Sequence, residues 1–196
     1  MPKRHEITAA DILPREEYAR IRSEERRRMA ALKRNRRVEV GPFVTFHFEN
    51  WDTMRHQVQE MCWIENGGPE QIPDELAAYN PLVPKGTELV ATFMIEIDDP
   101  VRRKRILASL GGIEETAFIR LDGAIITAQP ETDLDRTTAE GKASSVQFVH
   151  FPFTPALIAR FRVPGTQAVL GLSHVNYSHM AVIPEAVRAE LAGDFN

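Results

Sequence analysis

The chain predicts an α+β domain: a mostly antiparallel sheet, helices packed on one side of it, and a long N-terminal helix. Three observations carry this. Val44, Phe46 and Phe48 alternate with Thr45, His47 and Glu49, and Leu89, Ala91, Phe93, Ile95 and Ile97 share one face, both with the period of two that marks a strand. Two segments, 116–129 and 168–184, read as strand pairs joined by turns, so hairpins dominate over regular strand–helix alternation. Residues 13–37 read as one helix with a thin apolar stripe of Tyr18, Ile21, Met29 and Leu32, suited to a surface or a partner rather than a core.

In chain order, Thr8 to Asp11 resembles a capping box with Asp in place of Glu. Pro14 suits the first helical position, and Glu16 and Glu17 suit the positive end of the helix dipole. Gly41-Pro42 breaks or bulges the strand that follows. The stretch "WDTMRHQVQEMCWIEN", Trp51 to Asn66, is a helix capped by Asn50 or Asp52 and ended by Gly67-Gly68-Pro69. A short helix around Asp74–Ala78 leads into an irregular link and then the Leu89 strand. Asp99 caps a short helix that has Pro100 in its first turn and stops at Gly111-Gly112. Asp122-Gly123 turns a hairpin. Residues 130–145 are polar and aperiodic, the mark of a long loop. Strand Val146–Phe153, a helix over 154–161, strands 168–174 and 179–184, and a terminal helix complete the order. Residues 1–37 form a basic helical segment and 38–196 a single α+β domain.

Composition narrows the function. The 196 residues are 43% hydrophobic and 27% charged, an ordinary globular balance with enough apolar residues for one sizeable core. No apolar run is long enough for a membrane span, and the first residues lack the apolar stretch of a secretory signal. Cys62 is the only cysteine, which excludes an internal disulfide, a thiolate zinc cluster and an iron–sulfur cluster held by this chain alone. A cytoplasmic location is the expectation. The net charge of −4 is uneven: residues 1–37 carry 12 Lys and Arg against 6 Asp and Glu, and the remainder 12 against 22. The basic segment could meet nucleic acid, the acidic body of this chain, or a twin subunit.

Two places set polar chemistry beside core. In "LGLSHVNYSHMAVIP", a four-residue loop Val175–Ser178 would set His174 opposite His179, on the face shared with Leu170, Leu172, Ala181 and Ile183. Two such imidazoles take a divalent metal if a carboxylate joins them; otherwise they and Tyr177 hydrogen-bond the loop backbone. On the Trp51–Asn66 helix, His56 and Glu60 lie four apart on one face and Arg55 and Gln59 form the neighbouring stripe, with His47 and Glu49 just upstream. Such a His/Glu pair is half of a carboxylate–imidazole site, or a solvated pair beside an arginine that pins Glu49. Cys62, between Met61 and Trp63, reads as a small buried hydrophobe. The arginines of 13–37 are spread around their helix without aromatic interleaving, so nucleic acid is not the expected partner. "AEGKASS" lacks the upstream glycine of a phosphate loop, and no nucleophile elbow or H-E-x-x-H is present.

Several stretches taken together, "ITAADILPREEYARIR", "RRVEVGPFVTFHFENWDTMRHQVQEM", "ELAAYNPLVPKGTELVATFMIE", "SSVQFVHF" and "LGLSHVNYSHMAVIPEAVRAEL", resemble the bacterial family catalogued as domain of unknown function 3501. The pattern includes Glu49-Asn50, Thr53, Arg55, Gln59-Glu60-Met61, Tyr79-Asn80-Pro81 and His174 through Tyr177 to His179. The resemblance implies no established activity. It implies gene neighbours encoding rubrerythrin and an iron–sulfur oxidoreductase, hence an accessory role in peroxide or iron redox metabolism.

The expectation is therefore a polar cleft between the Trp51–Asn66 helix and the histidine hairpin. His174, His179 and Glu60 would ligate a divalent metal, and Arg55, Gln59 and Tyr177 would bind a small anionic ligand; no catalytic residue is assigned. The alternative is a non-enzymatic module whose basic helix clasps a twin, a redox partner or RNA.

Overall fold

The computed structural model describes residues 4–131 and 142–196. Helix α1 spans Arg15–Lys33 and is followed by strands β1 (Arg37–Val40) and β2 (Val44–Glu49). Helices α2 (Trp51–Glu65) and α3 (Ile72–Tyr79) lead to β3 (Glu88–Ile95). Then come α4 (Pro100–Leu107), β4 (Ala117–Leu121), β5 (Ala124–Thr127) and β6 (Gln129–Pro130). The chain ends with β7 (Val146–Pro152), α5 (Pro155–Arg162), β8 (Ala168–His174), β9 (Tyr177–Val182) and α6 (Glu185–Ala192). The fold is the expected α+β class with its long N-terminal helix. No described helix is long and apolar enough to cross a membrane. The expected loop over 130–145 falls mostly on residues outside those described.

The antiparallel strands form two sheets rather than one: β1-β2-β3-β7-β6 and β5-β4-β8-β9. They pack face to face around one apolar core. Phe46, Phe48, Phe93 and Phe151 from the first sheet meet Ile119, Leu170 and Leu172 from the second. The Phe46 and Phe93 rings sit 4.8 Å apart. At one end Phe161 of α5 and Phe195 close the core over Phe153. The chain passes from one sheet to the other along β5, Ala128 and β6, with the Ala128 N–H donating to Ala117 O at 2.9 Å.

The period of two in β2 puts Val44, Phe46 and Phe48 into this core and turns Thr45, His47 and Glu49 outward. Helices cover that outer face. Met54 and Val58 of α2 pack over Val90, with Leu82, Val83, Ile7 and Ile12 around them. The helices do not all lie on one side as expected: α1, α2 and α3 cover this outer face, whereas Leu107 of α4, Phe161 of α5 and Leu191 of α6 pack into the core between the sheets. The outer face of the second sheet leaves Ile125, Met180 and Val182 exposed.

Gly41-Pro42 does more than bulge a strand. It turns the chain through a hairpin in which Val40 pairs with Val44. Gly41 has φ +72, and a Cβ there would lie 2.5 Å from the Tyr177 hydroxyl and 2.6 Å from the His179 ring, so only glycine fits.

The β8–β9 hairpin differs from the expectation. Its turn is the two residues Val175-Asn176, so His174 faces Tyr177 and His179 faces Leu172. The register is set by Tyr177. Its ring turns inward and stacks on Phe43 at 4.6 Å, and its hydroxyl donates to Val40 O at 2.6 Å. That bond bridges β9 to β1 across the gap between the sheets; a four-residue loop would have left Tyr177 at its tip.

Candidate functional site

Helix α2 is built from its N-terminus outward. The Asn50 side chain accepts from Thr53 N–H at 2.9 Å, and the Thr53 hydroxyl accepts from Asn50 N–H at 2.9 Å, a reciprocal cap. The face toward the sheet is polar at its start. Buried Glu49 accepts from the Thr53 hydroxyl at 2.6 Å and from the Thr92 hydroxyl at 2.8 Å, which joins α2, β2 and β3. On the side turned to α1, one turn before Glu60, buried His56 leaves Nδ1 without a partner among the described residues, and His47 on β2 does the same with Nε2. Burial holds both imidazoles below the usual histidine range, so each is neutral near pH 7.

The opposite side of α2 meets α1. Gln59 holds both backbone groups of Leu13: its Oε1 accepts from the N–H at 2.8 Å and its Nε2 donates to the carbonyl at 3.1 Å. Glu60 accepts the Tyr18 hydroxyl at 2.6 Å and a two-pronged Arg22 guanidinium, Nε and Nη2 each at 2.8 Å. Burial would raise the Glu60 pKa, but the Arg22 and Tyr18 bonds outweigh it and the group titrates below the usual range. Burial and the Glu60 bond push the Tyr18 phenol up. Arg55 pairs with Glu25, which also holds Arg28 at 2.9 Å, and Arg28 reaches Asp52 at 3.2 Å. Arg55, Gln59 and Glu60 are thus all engaged in docking the segment before α1 and α1 itself.

The hairpin histidines sit elsewhere. His174 Nδ1 accepts from Asn176 N–H at 3.2 Å, so Nε2 carries the proton and donates to Gly111 O at 3.2 Å. Asn176 adds a bond to Ser109 O at 2.9 Å. The hairpin tip is tied to the turn after α4. His179 is exposed and stacks on the Tyr177 ring at 4.4 Å. Glu60 and the two histidines share no partner, and among the described residues no three His, Cys, Asp or Glu come together to hold a metal. Burial, with Glu75 adding to it, pushes the Cys62 thiol up, away from the nucleophilic thiolate.

Residues 6–195 match the family described as "Protein of unknown function (DUF3501)". The chain belongs to this family. A crystal structure from Burkholderia pseudomallei, described as a novel protein of unknown function, is similar over 97% of this chain and 99% of that one. The two share 37% identity with a TM-score of 0.90. No curated protein matches the chain.

Three arrangements in this family member escape a reading of its sequence. Trp63 of α2 lies under the Arg15 guanidinium, 4.1 Å from the ring centre, with Arg22 at 5.3 Å. Beside that stack runs a groove of about 530 Å³ on the flank of α1, lined by Ala19, Ser23, Ala30, Arg26 and Arg27. Arg36 is buried at 1% exposure, donating to Phe48 O and Glu49 O and paired with Asp194. Finally, His150 on β7 sits between two carboxylates, Glu88 at 3.0 Å from Nδ1 and Glu131 at 3.3 Å from Nε2. The only hint of the last was His150 on the outward-facing positions of its strand; its partners lie 62 residues before it and across the next strand.

Proposed function

We propose that this protein is a non-enzymatic accessory module that recruits an acidic partner protein through the outward flank of α1. The observation that supports it is how the charges of α1 divide. Arg22, Glu25 and Arg28 turn inward and are consumed against α2. Arg26 and Arg27 of α1, and Arg34 just beyond it, are exposed and carry no ion pair among the described residues. With about 100° per residue, Glu17 and Glu24 fall on the far side of the helix from Arg26. Part of the basic excess of residues 1–37 is neutralised within the chain by Glu60, Asp52 and Asp194; the remainder on the outward flank serves recruitment.

The partner that the family resemblance implies is a redox protein, rubrerythrin or an iron–sulfur oxidoreductase, in the cytoplasm that a lone reduced cysteine suits. A twin subunit would use the same flank. RNA fits less well, because the Trp63 face that a base would need is covered by Arg15. The expectation of a metal at His174, His179 and Glu60 gains no support from the geometry, since His174 and Glu60 would have to give up the bonds described above.

The test is direct mixing with purified rubrerythrin and with the iron–sulfur oxidoreductase of the same organism, followed by sedimentation. A complex is expected whose affinity falls as salt rises, and R26E/R27E should weaken it at least about tenfold. Binding of neither protein, or binding unmoved by charge reversal, would overturn the reading.

A further inference from the structure

Of the four sheet edges, one lacks every usual protection among the described residues. β1 carries the charged Arg37 and Glu39, β6 is two residues long and ends in Pro130, and β5 is four residues long. β9 spans the six residues Tyr177–Val182 without a charge, a proline or a bulge, and most of it is exposed. The bond from Ile183 N–H to Ala168 O at 2.8 Å fixes the phase of its ladder, in which the odd-numbered residues address β8. Ser178, Met180 and Val182 therefore turn their N–H and C=O groups away from the sheet, where none meets a partner among the described residues. The same three residues send their side chains to the outer face, and Met180 and Val182 are 58% and 56% exposed.

Free ladder groups select a strand, because extended backbone presents donors and acceptors at the matching interval. The sequence of β9 selects its own copy. About a two-fold axis at Met180, that residue faces the partner's Met180, and Ser178 faces the partner's Val182. Each such pair exchanges two bonds, so one register satisfies every outward N–H and C=O of the strand. No charge meets a like charge across the axis, and the two flexible methionines pack on each other. Behind them the apolar stripe continues: a Cβ at Gly171 would strike both the Phe118 ring and Met180, so these side chains close over the glycine. Two α1 flanks brought together by a two-fold axis would instead oppose arginine to arginine.

We propose that β9 pairs antiparallel with β9 of a second copy about a two-fold axis at Met180, joining the two four-stranded sheets into one. The α1 flank of each copy stays free for an acidic partner, so the recruitment reading and this pairing stand or fall separately.

Sedimentation of the full chain should give a dimer, and Met180→Lys should weaken it at least about tenfold by setting two ammonium groups across the axis. Met180→Pro, which removes an N–H that β8 does not use, should do the same, with the melting temperature checking that each variant is folded. Ile125→Lys, at a comparably exposed apolar residue on the opposite edge strand, should leave the dimer intact. Cysteines read the register. In a Cys62→Ser background, Met180→Cys should cross-link under a copper–phenanthroline oxidant, since directly paired residues stand about 5.5 Å apart, and Ile125→Cys should not. A monomer at every concentration, a dimer unmoved by either Met180 variant, a dimer lost equally on Ile125→Lys, or cross-linking as fast at 125 as at 180 would overturn the pairing.

Discussion

Phe46, Phe93 and Phe151 fill the space between the two sheets with hydrocarbon, whereas the seam between α1 and α2 is crossed by Arg22, Glu25, Arg28, Arg55 and Glu60. The two regions are unlike in physics. Apolar burial scales with area and has little direction, so it holds the sheets together without choosing among nearby arrangements. A charged seam contributes less net free energy, because each group gives up water to gain its partner. It does fix position: only one placement of α1 satisfies Glu60 with both a phenol and a guanidinium. Tyr18 and Met29 are the only α1 residues fully buried, so the helix owes its seat chiefly to that polar match.

The comparison predicts its own ranking of damage. Phe93→Ala should cost the most, about 3–5 kcal/mol, since it removes a fully buried ring and leaves a cavity against Phe46. Urea unfolding should show the whole domain weakened in one transition. A loss below about 1 kcal/mol would mean that the inter-sheet space collapses freely and is not the rigid half of the pair.

Glu60→Gln should cost less, on the order of 1–3 kcal/mol, because it removes the charge that Arg22 and Tyr18 address in a site only partly shielded from water. Its effect should be local. Hydrogen exchange would show amides of Arg15–Lys33 losing protection while those of β3 and β7 keep theirs. Added salt should loosen α1 in the wild type as well, since screening weakens the exposed Arg28–Asp52 pair before the shielded Glu60. Equal loss of protection in helix and sheet would erase the distinction between the regions.

The apolar region was the more legible of the two in the sequence. Periods of two in β2 and β3, the Asn50 cap and the Asp122-Gly123 turn all speak through local chemistry, and each stands in the structure. What failed was information carried by partners distant in sequence. The spacing of His174 and His179 is silent on turn length, and Val175-Asn176 lacks the glycine that advertises a two-residue turn. The division into two sheets depends on β5 and β6 running on through Ala128, a bend no pattern announces. The α2 helix is the sharpest case. Periodicity shows that Arg55, Gln59 and Glu60 occupy the side away from Met54 and Val58, but a polar side facing a ligand and one facing another helix have the same spelling. Trp63 likewise gains its arginines only when α1 folds back over it.

The smallest predicted effect divides the histidines between the two modes of burial. Burial alone pulls His150 down, but the Glu88 bond together with the Glu88 and Glu131 charges outweighs it, so the imidazole titrates above its ordinary value of 6.5. Glu88, which burial would raise, is lowered by the same His150 bond and, more weakly, by Lys85. A base with a raised folded pKa stabilises fully below its unfolded value and loses that contribution as pH rises through the folded one; an acid with a lowered pKa loses its own as pH falls through the folded value. The His150 cluster should thus help most between those limits, and His150→Gln should remove on the order of 1 kcal/mol there and progressively less at higher pH. His47 and His56 run the other way. Their folded pKa values are lowered, although Glu49 and Glu96 oppose this at His47 and Glu60 and Glu25 at His56, while Lys33 adds to it at both. Below about pH 6.5 the unfolded chain binds protons that the folded one refuses, so stability falls. His56→Gln should blunt that acid loss, and the two variants should tilt the stability–pH profile in opposite senses in urea titrations from pH 5 to 9. Parallel profiles would mean that the charged cluster at Glu88 and the neutral imidazoles of His47 and His56 answer protons alike, and the contrast drawn from their geometry would be lost.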